Sequence, residues 1–140
     1  MNTQKQTKAV GYVRVATVGE HGKAPQIQRH KDTLIAHCKD SRILLAHMIV
    51  DIAIREGRER AFELLETGQA RVLVVPSLAQ LSRSVSELAG IIERYFAASS
   101  PVADLIAVAE GIDTRTPEGR MALNVLRTVA RFEMEDVCHA

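Results

Sequence analysis

The chain has 140 residues, with 18 Lys and Arg against 17 Asp and Glu, a formal net charge of +1, and two cysteines. That length suits one domain with a proper core, and the balanced charge excludes the global basic excess of a self-sufficient nucleic-acid binder. Cys38 and Cys138 stand apart without CxxC spacing and are expected to be reduced thiols of a cytoplasmic protein. No apolar run approaches the roughly 18 residues of a membrane span, and Met1 to Lys8 lacks the apolar segment of a signal peptide, so no membrane partner is expected.

Residues 1–8 form a polar tail. Ala9 to Val15 predicts a β-strand that opens into a Gly-containing loop, Val18-Gly19-Glu20-His21-Gly22. A helical pattern starts at Pro25 and runs to about Lys39, with Ile27, Leu34, Ile35 and Cys38 on one apolar face. Ile43 to Val50 is a second strand with Asp51 at its end, and Ile52 to Gly57 a loop. Arg58 to Thr67 predicts a short helix that turns Ala61, Phe62, Leu64 and Leu65 inward, with Gly68 as its C-cap. Val72 to Val75 is a third, strongly β-prone strand, ended by Pro76. Val85 to Ala97 is helical, with Leu88, Ile91, Ile92, Tyr95 and Phe96 as its stripe. Val102 to Val108 is strand four. The loop from Gly111 to Thr116 leads into Pro117, a good first helical residue after a Thr cap, and the last helix continues to about Val137. His30 and His37 share one helix face near Cys38 without metal-ligand spacing; no metal or cofactor is expected.

This order predicts an α/β fold of three layers: a mainly parallel sheet of about four strands, with helices on both faces. The organisation is a flexible tail (1–8), a catalytic-type domain (9–116) and a long C-terminal helix of the same domain (117–140). The functional edge of such a sheet is the carboxyl end of its strands, where Arg14, Asp51 and the loop after Val75 fall. In the last helix the apolar residues span an arc of roughly 220° at about 100° per residue, whereas packing on one face needs about 100°. The surplus predicts a homo-oligomer contact through Met121, Val125, Val129 and Phe132.

The stretch Tyr12-Val13-Arg14-Val15-Ala16-Thr17 resembles the opening strand of the serine recombinases of the resolvase/invertase family, which reads Tyr-x-Arg-Val-Ser-Thr. In that family the Ser attacks a DNA phosphodiester and the Arg binds the phosphate. Further motifs follow in order over about residues 9–138. Gln28 matches the Gln after the nucleophile loop. Asp51 and Arg60 match an Asp and an Arg nine residues apart, although Ile54 and Arg55 replace a Ser-Gly pair. Leu78-Ala79-Gln80-Leu81-Ser82-Arg83 corresponds to Leu-Asp-Arg-Leu-x-Arg. Ile112-Asp113-Thr114 with Pro117-Glu118-Gly119-Arg120 is similar to the start of the family's long dimerisation helix. Ala130-Arg131-Phe132-Glu133-Met134 matches Ala-x-Phe-Glu-Arg except at Met134.

The resemblance implies a resolvase-like fold and a site with Arg14, Gln28, Asp51, Arg60 and Arg83 as phosphate or DNA-binding candidates. It also implies degenerate chemistry. Phosphoryl transfer to a hydroxyl needs a nucleophile, a proton path and cations around the phosphate. Ala16, Ala79 and Gln80 stand where the nucleophile, an acid and a cation belong. The expected function is that of a recombinase homologue without strand cleavage, an interaction or regulatory partner in DNA recombination or on mobile DNA. It would self-associate through the last helix or pair with a full-length recombinase. DNA binding is expected to be weak and non-specific, because the charge is balanced and Glu133-Met134-Glu135-Asp136 is acidic. Two alternatives stand beside this reading. An active recombinase domain would need another nucleophile; Thr17 is adjacent but faces the opposite side of the strand. A flavodoxin-like domain for an anion or small ligand lacks a Gly-rich phosphate loop after strand one. Arg14 also has a purely structural reading, as a partner of Asp51.

Overall fold

A computed structural model describes residues 6–15, 23–54, 56–97 and 101–139, with side chains in all of these except 23–24 and 132–139. The elements are β1 (Lys8–Val15), α1 (Lys23–Asp40), β2 (Leu44–Ile52), α2 (Glu56–Glu66), β3 (Val72–Val75), α3 (Val85–Ile91), β4 (Asp104–Ala107), β5 (Ile112–Asp113) and α4 (Pro117–His139). They form an α/β domain around a five-stranded sheet in the order β2-β1-β3-β4-β5. β1 to β4 run parallel, and β5 pairs antiparallel with β4. The fifth strand lies in a segment expected to be loop. Two residues carry no periodicity, and Ile112 is fixed by pairing with Ala107.

β1 alternates its side chains between two cores. Val10 and Tyr12 join Phe62, Leu73, Leu81, Ile92 and Leu105 on one face. Ala9 and Val13 join Leu34, Cys38, Val72 and Ile106 on the other. A strand buried on both faces is therefore a near-continuous apolar run, as the sequence of β1 and β3 is. Leu34 and Cys38 turn inward as expected, but Ile35 is 50% exposed. Ile35 follows Leu34 by one residue, a step of about 100° around the helix, and its apolar character misplaces it. Leu64 is only partly buried, while Ala61, Phe62 and Leu65 are core.

The stripe of α3 continues into a single π-type turn, Ile92–Phe96, in which the Ala97 N–H donates to the Ile92 carbonyl at 2.9 Å. Gly68, at φ +78°, caps α2 in the left-handed region that glycine tolerates. α4 starts as its sequence predicts. The Gly119 N–H donates to the Thr116 hydroxyl at 3.0 Å, and Pro117 occupies the first helical position. Beneath it Thr114 is buried, accepting from the Leu105 N–H and donating to Asp104, both at 2.9 Å.

Candidate functional site at the carboxyl edge of the sheet

β1 and β2 end side by side, with Arg14 opposite Asp51 in register. Asp51 is 3% exposed, and a buried carboxylate must be supplied with donors. The Tyr12 hydroxyl donates to Oδ2 at 2.6 Å, the Gly57 N–H to Oδ1 at 2.9 Å and the Arg58 N–H to Oδ2 at 3.1 Å. Two of the three donors are first-turn amides of α2, which have no partner inside the helix and favour an anion. Asp51 thus ties the start of α2 to the end of β2. A Cβ on Gly57 would lie 2.4 Å from Asp51 Oδ1 and 2.5 Å from Ile49 Cγ2, so glycine is required by close approach.

Arg14 is not the partner of Asp51. Its Nε donates to the Ile54 carbonyl at 3.4 Å, and its backbone N–H donates to Gln80 Oε1 at 2.5 Å. The structural alternative for Arg14 fails because Tyr12 and the α2 amides already surround the carboxylate. Gln80 sits in a 3₁₀ turn, Leu78–Gln80, that follows β3. Its side chain bridges this turn to β1, so an amide oxygen lies over the strand end. The Leu78 N–H is held by the Glu110 carboxylate at 3.2 and 3.3 Å. Ala79 is exposed.

Three further sequence candidates present their side chains to solvent. Gln28 is exposed on α1 and donates to Asp32 at 2.8 Å. Arg60 and Arg83 are exposed. Ala16, Thr17 and Arg55 lie outside the described residues, as does the side chain of Phe132. Among the described residues, no group of His, Cys, Asp and Glu could hold a metal ion.

Among the described residues, the buried guanidinium at this edge belongs to Arg58, two residues before Arg60. Only 8% of Arg58 is exposed. Nη1 and Nη2 each lie 3.1 Å from an oxygen of Glu87, and Nη1 also donates to the Leu81 carbonyl at 2.7 Å. Burial works against the cation, but the Glu87 carboxylate outweighs it and holds the Arg58 pKa above its ordinary value. Spacing from Asp51 selects Arg60; helical periodicity selects Arg58. Positions 58, 61, 62 and 65 form the inward stripe of α2. A charge at the head of an apolar stripe was the signal available in the sequence, and it goes with the need of any buried Arg for a carboxylate.

The sheet order, the four parallel strands and the carboxyl-edge constellation define a resolvase-type α/β domain. A profile of the resolvase N-terminal domain matches residues 9–138, and the chain belongs to that family of serine recombinases. A search of curated proteins returns no match. Among solved structures, the chain is similar to the N-terminal catalytic domain of TP901-1 integrase, with a TM-score of 0.80 at 24% identity, over 92% of this chain and 98% of that one. It is similar to a resolvase family site-specific recombinase from Streptococcus pneumoniae, with a TM-score of 0.76 at 18% identity, over 94% of this chain and 91% of that one. The catalytic domain of ISC1926 TnpA, an IS607-like serine recombinase, gives 0.53 at 15% identity, over 87% and 97%. These likenesses establish the fold. Membership of the family gives the domain a resolvase fold in place of the flavodoxin-like one of the third reading.

Proposed function

We propose that this domain does not cleave DNA and serves DNA recombination as a partner of other recombinase molecules, which it meets through α4. The observation that carries the reading is Ala16, the residue directly after Val15 at the end of β1. Alanine has no oxygen to attack phosphorus, so no phosphoserine can form at that position. The surroundings support the same conclusion. Gln80, a neutral amide, caps the Arg14 N–H where the family motif carries a cation. Ala79 supplies no acid. Ser82, the nearby hydroxyl of the loop, is buried and committed to Glu87 and to the Ser84 N–H.

Restoring one part should not restore the reaction. Ala16→Ser returns a hydroxyl but leaves the acid and cation positions empty of charge. The test is a search for covalent protein–DNA adducts on supercoiled substrate, with wild type and Ala16→Ser side by side. Neither should form one. An adduct with wild-type protein overturns the loss of cleavage, and one with Ala16→Ser alone shows that Ala79 and Gln80 are no barrier.

A further inference from the structure

Arg58 points its guanidinium outward from the core toward a carboxylate that water reaches. The Arg58 side chain is 10% exposed and the Glu87 side chain 44%. Two parallel N–H···O contacts of 3.1 Å join them, the fork geometry that a guanidinium offers to a carboxylate or a phosphate alike. Glu87 is further held by the Ser82 hydroxyl, and Glu59 stands 3.7 Å from Nη2. Arg58 Nε is buried and has no hydrogen-bond partner among the described residues. Beside the pair lies a cleft of about 230 Å³, whose lining includes Arg58, Glu59, Phe62, Glu87, Arg94 and Tyr95. Arg94, 72% exposed, lies over the Tyr95 ring at the rim of the cleft and pairs loosely with Glu66 at 3.8 Å.

We propose that Glu87 is a built-in counter-anion that masks an oxyanion site at Arg58. Its carboxylate occupies the position that a phosphate group, free or in a nucleic-acid backbone, would otherwise take. An ion pair that served packing alone could be replaced by apolar side chains with little loss. This one keeps a cation buried, an Nε unpaired and an anion at the solvent side, which is how a guanidinium site looks with its ligand in place. The mask is separate from the loss of cleavage: Ala16 removes the nucleophile whether or not Glu87 covers Arg58, and the two fail independently.

Glu87→Gln removes the charge that holds this side chain over Arg58, and leaves a neutral group at a 44% exposed position that phosphate can displace toward solvent. Its thermal midpoint is compared with wild type in inorganic phosphate and in chloride at equal ionic strength. Phosphate should raise the midpoint of Glu87→Gln by about 5 °C over chloride once it is tenfold above its Kd, and leave wild type unmoved. A variant that folds in phosphate but not in chloride gives the same answer. Adding Arg58→Met should abolish the response or leave a protein that phosphate does not rescue. A short DNA duplex in place of phosphate distinguishes the sources: a response to either supports the site, and its identity tells which oxyanion fits. Equal behaviour of Glu87→Gln in all salts, or an unfolded protein in all of them, overturns the proposal and leaves a structural ion pair. So does a response that survives Arg58→Met.

Discussion

At the scale of single residues, the edge of the sheet is organised by one carboxylate. Asp51 takes a hydroxyl and two amides, which leaves Arg14 free to turn toward Ile54 and leaves α2 anchored by its first turn. Gly57 makes this possible, since any Cβ there meets the carboxylate at 2.4 Å. Gly57→Ala should therefore destabilise the domain by about 1–3 kcal/mol, the usual cost of overpacking, read as a lower urea midpoint with an unchanged m-value. A midpoint equal to wild type would mean that α2 shifts without cost. The sequence made Asp51 visible through its place after a strand. It hid Arg58, because a charged residue is assigned to solvent by composition, and because counting from Asp51 lands on Arg60. Only the stripe of Ala61, Phe62 and Leu65 shows that position 58 faces inward.

At the scale of elements, α4 is fixed at two points, to β5 and to the π-type turn after α3. Its first turn lies directly on β5: a Cβ on Gly119 would come 1.8 Å from the Asp113 carbonyl oxygen. Arg120 reaches back to the Thr114 carbonyl at 3.2 Å, while Leu123 is 1% exposed in the core. Further along, Arg127 and Arg131 share Glu93, at 2.6 and 2.8 Å; their hydrogen bonds and charges hold the Glu93 carboxyl below the ordinary carboxylate range. The glycine of the Pro-Glu-Gly-Arg motif thus has a steric reason. Gly119→Ala gains helix propensity of about 1 kcal/mol but cannot keep this contact with rigid backbone. It should be net destabilising, with a lower thermal midpoint; a raised midpoint would show that α4 tolerates displacement. The existence and span of α4 were legible from Pro117 and unbroken periodicity. β5 was not, because two residues paired across a turn leave no pattern.

At the scale of the whole molecule, α4 carries an apolar line on its outer side. Met121, Val125 and Val129 are 69%, 58% and 48% exposed. They recur every four residues, so they form one line along the helix, away from Leu123. Val129 also borders an apolar cleft of about 190 Å³ between α3 and α4, with Val85, Leu88 and Leu126. This exposed line is the part of α4 where the sequence predicts an oligomer contact, and such a contact would bury it. A second copy of the same helix offers the same line. Val125→Glu distinguishes an interface from an exposed valine. In a monomer the change is harmless, because the site is exposed and Glu favours helix over Val. In an assembly it buries an unpaired carboxylate at a cost of several kcal/mol. The wild-type protein should therefore sediment as an oligomer at about 100 micromolar, well above typical weak self-association, and Val125→Glu as a monomer with unchanged far-UV circular dichroism. The same surface would let the domain join an active recombinase in a mixed oligomer that lacks one nucleophile. A wild-type protein that stays monomeric at that concentration removes both the self-association and this route to inhibition.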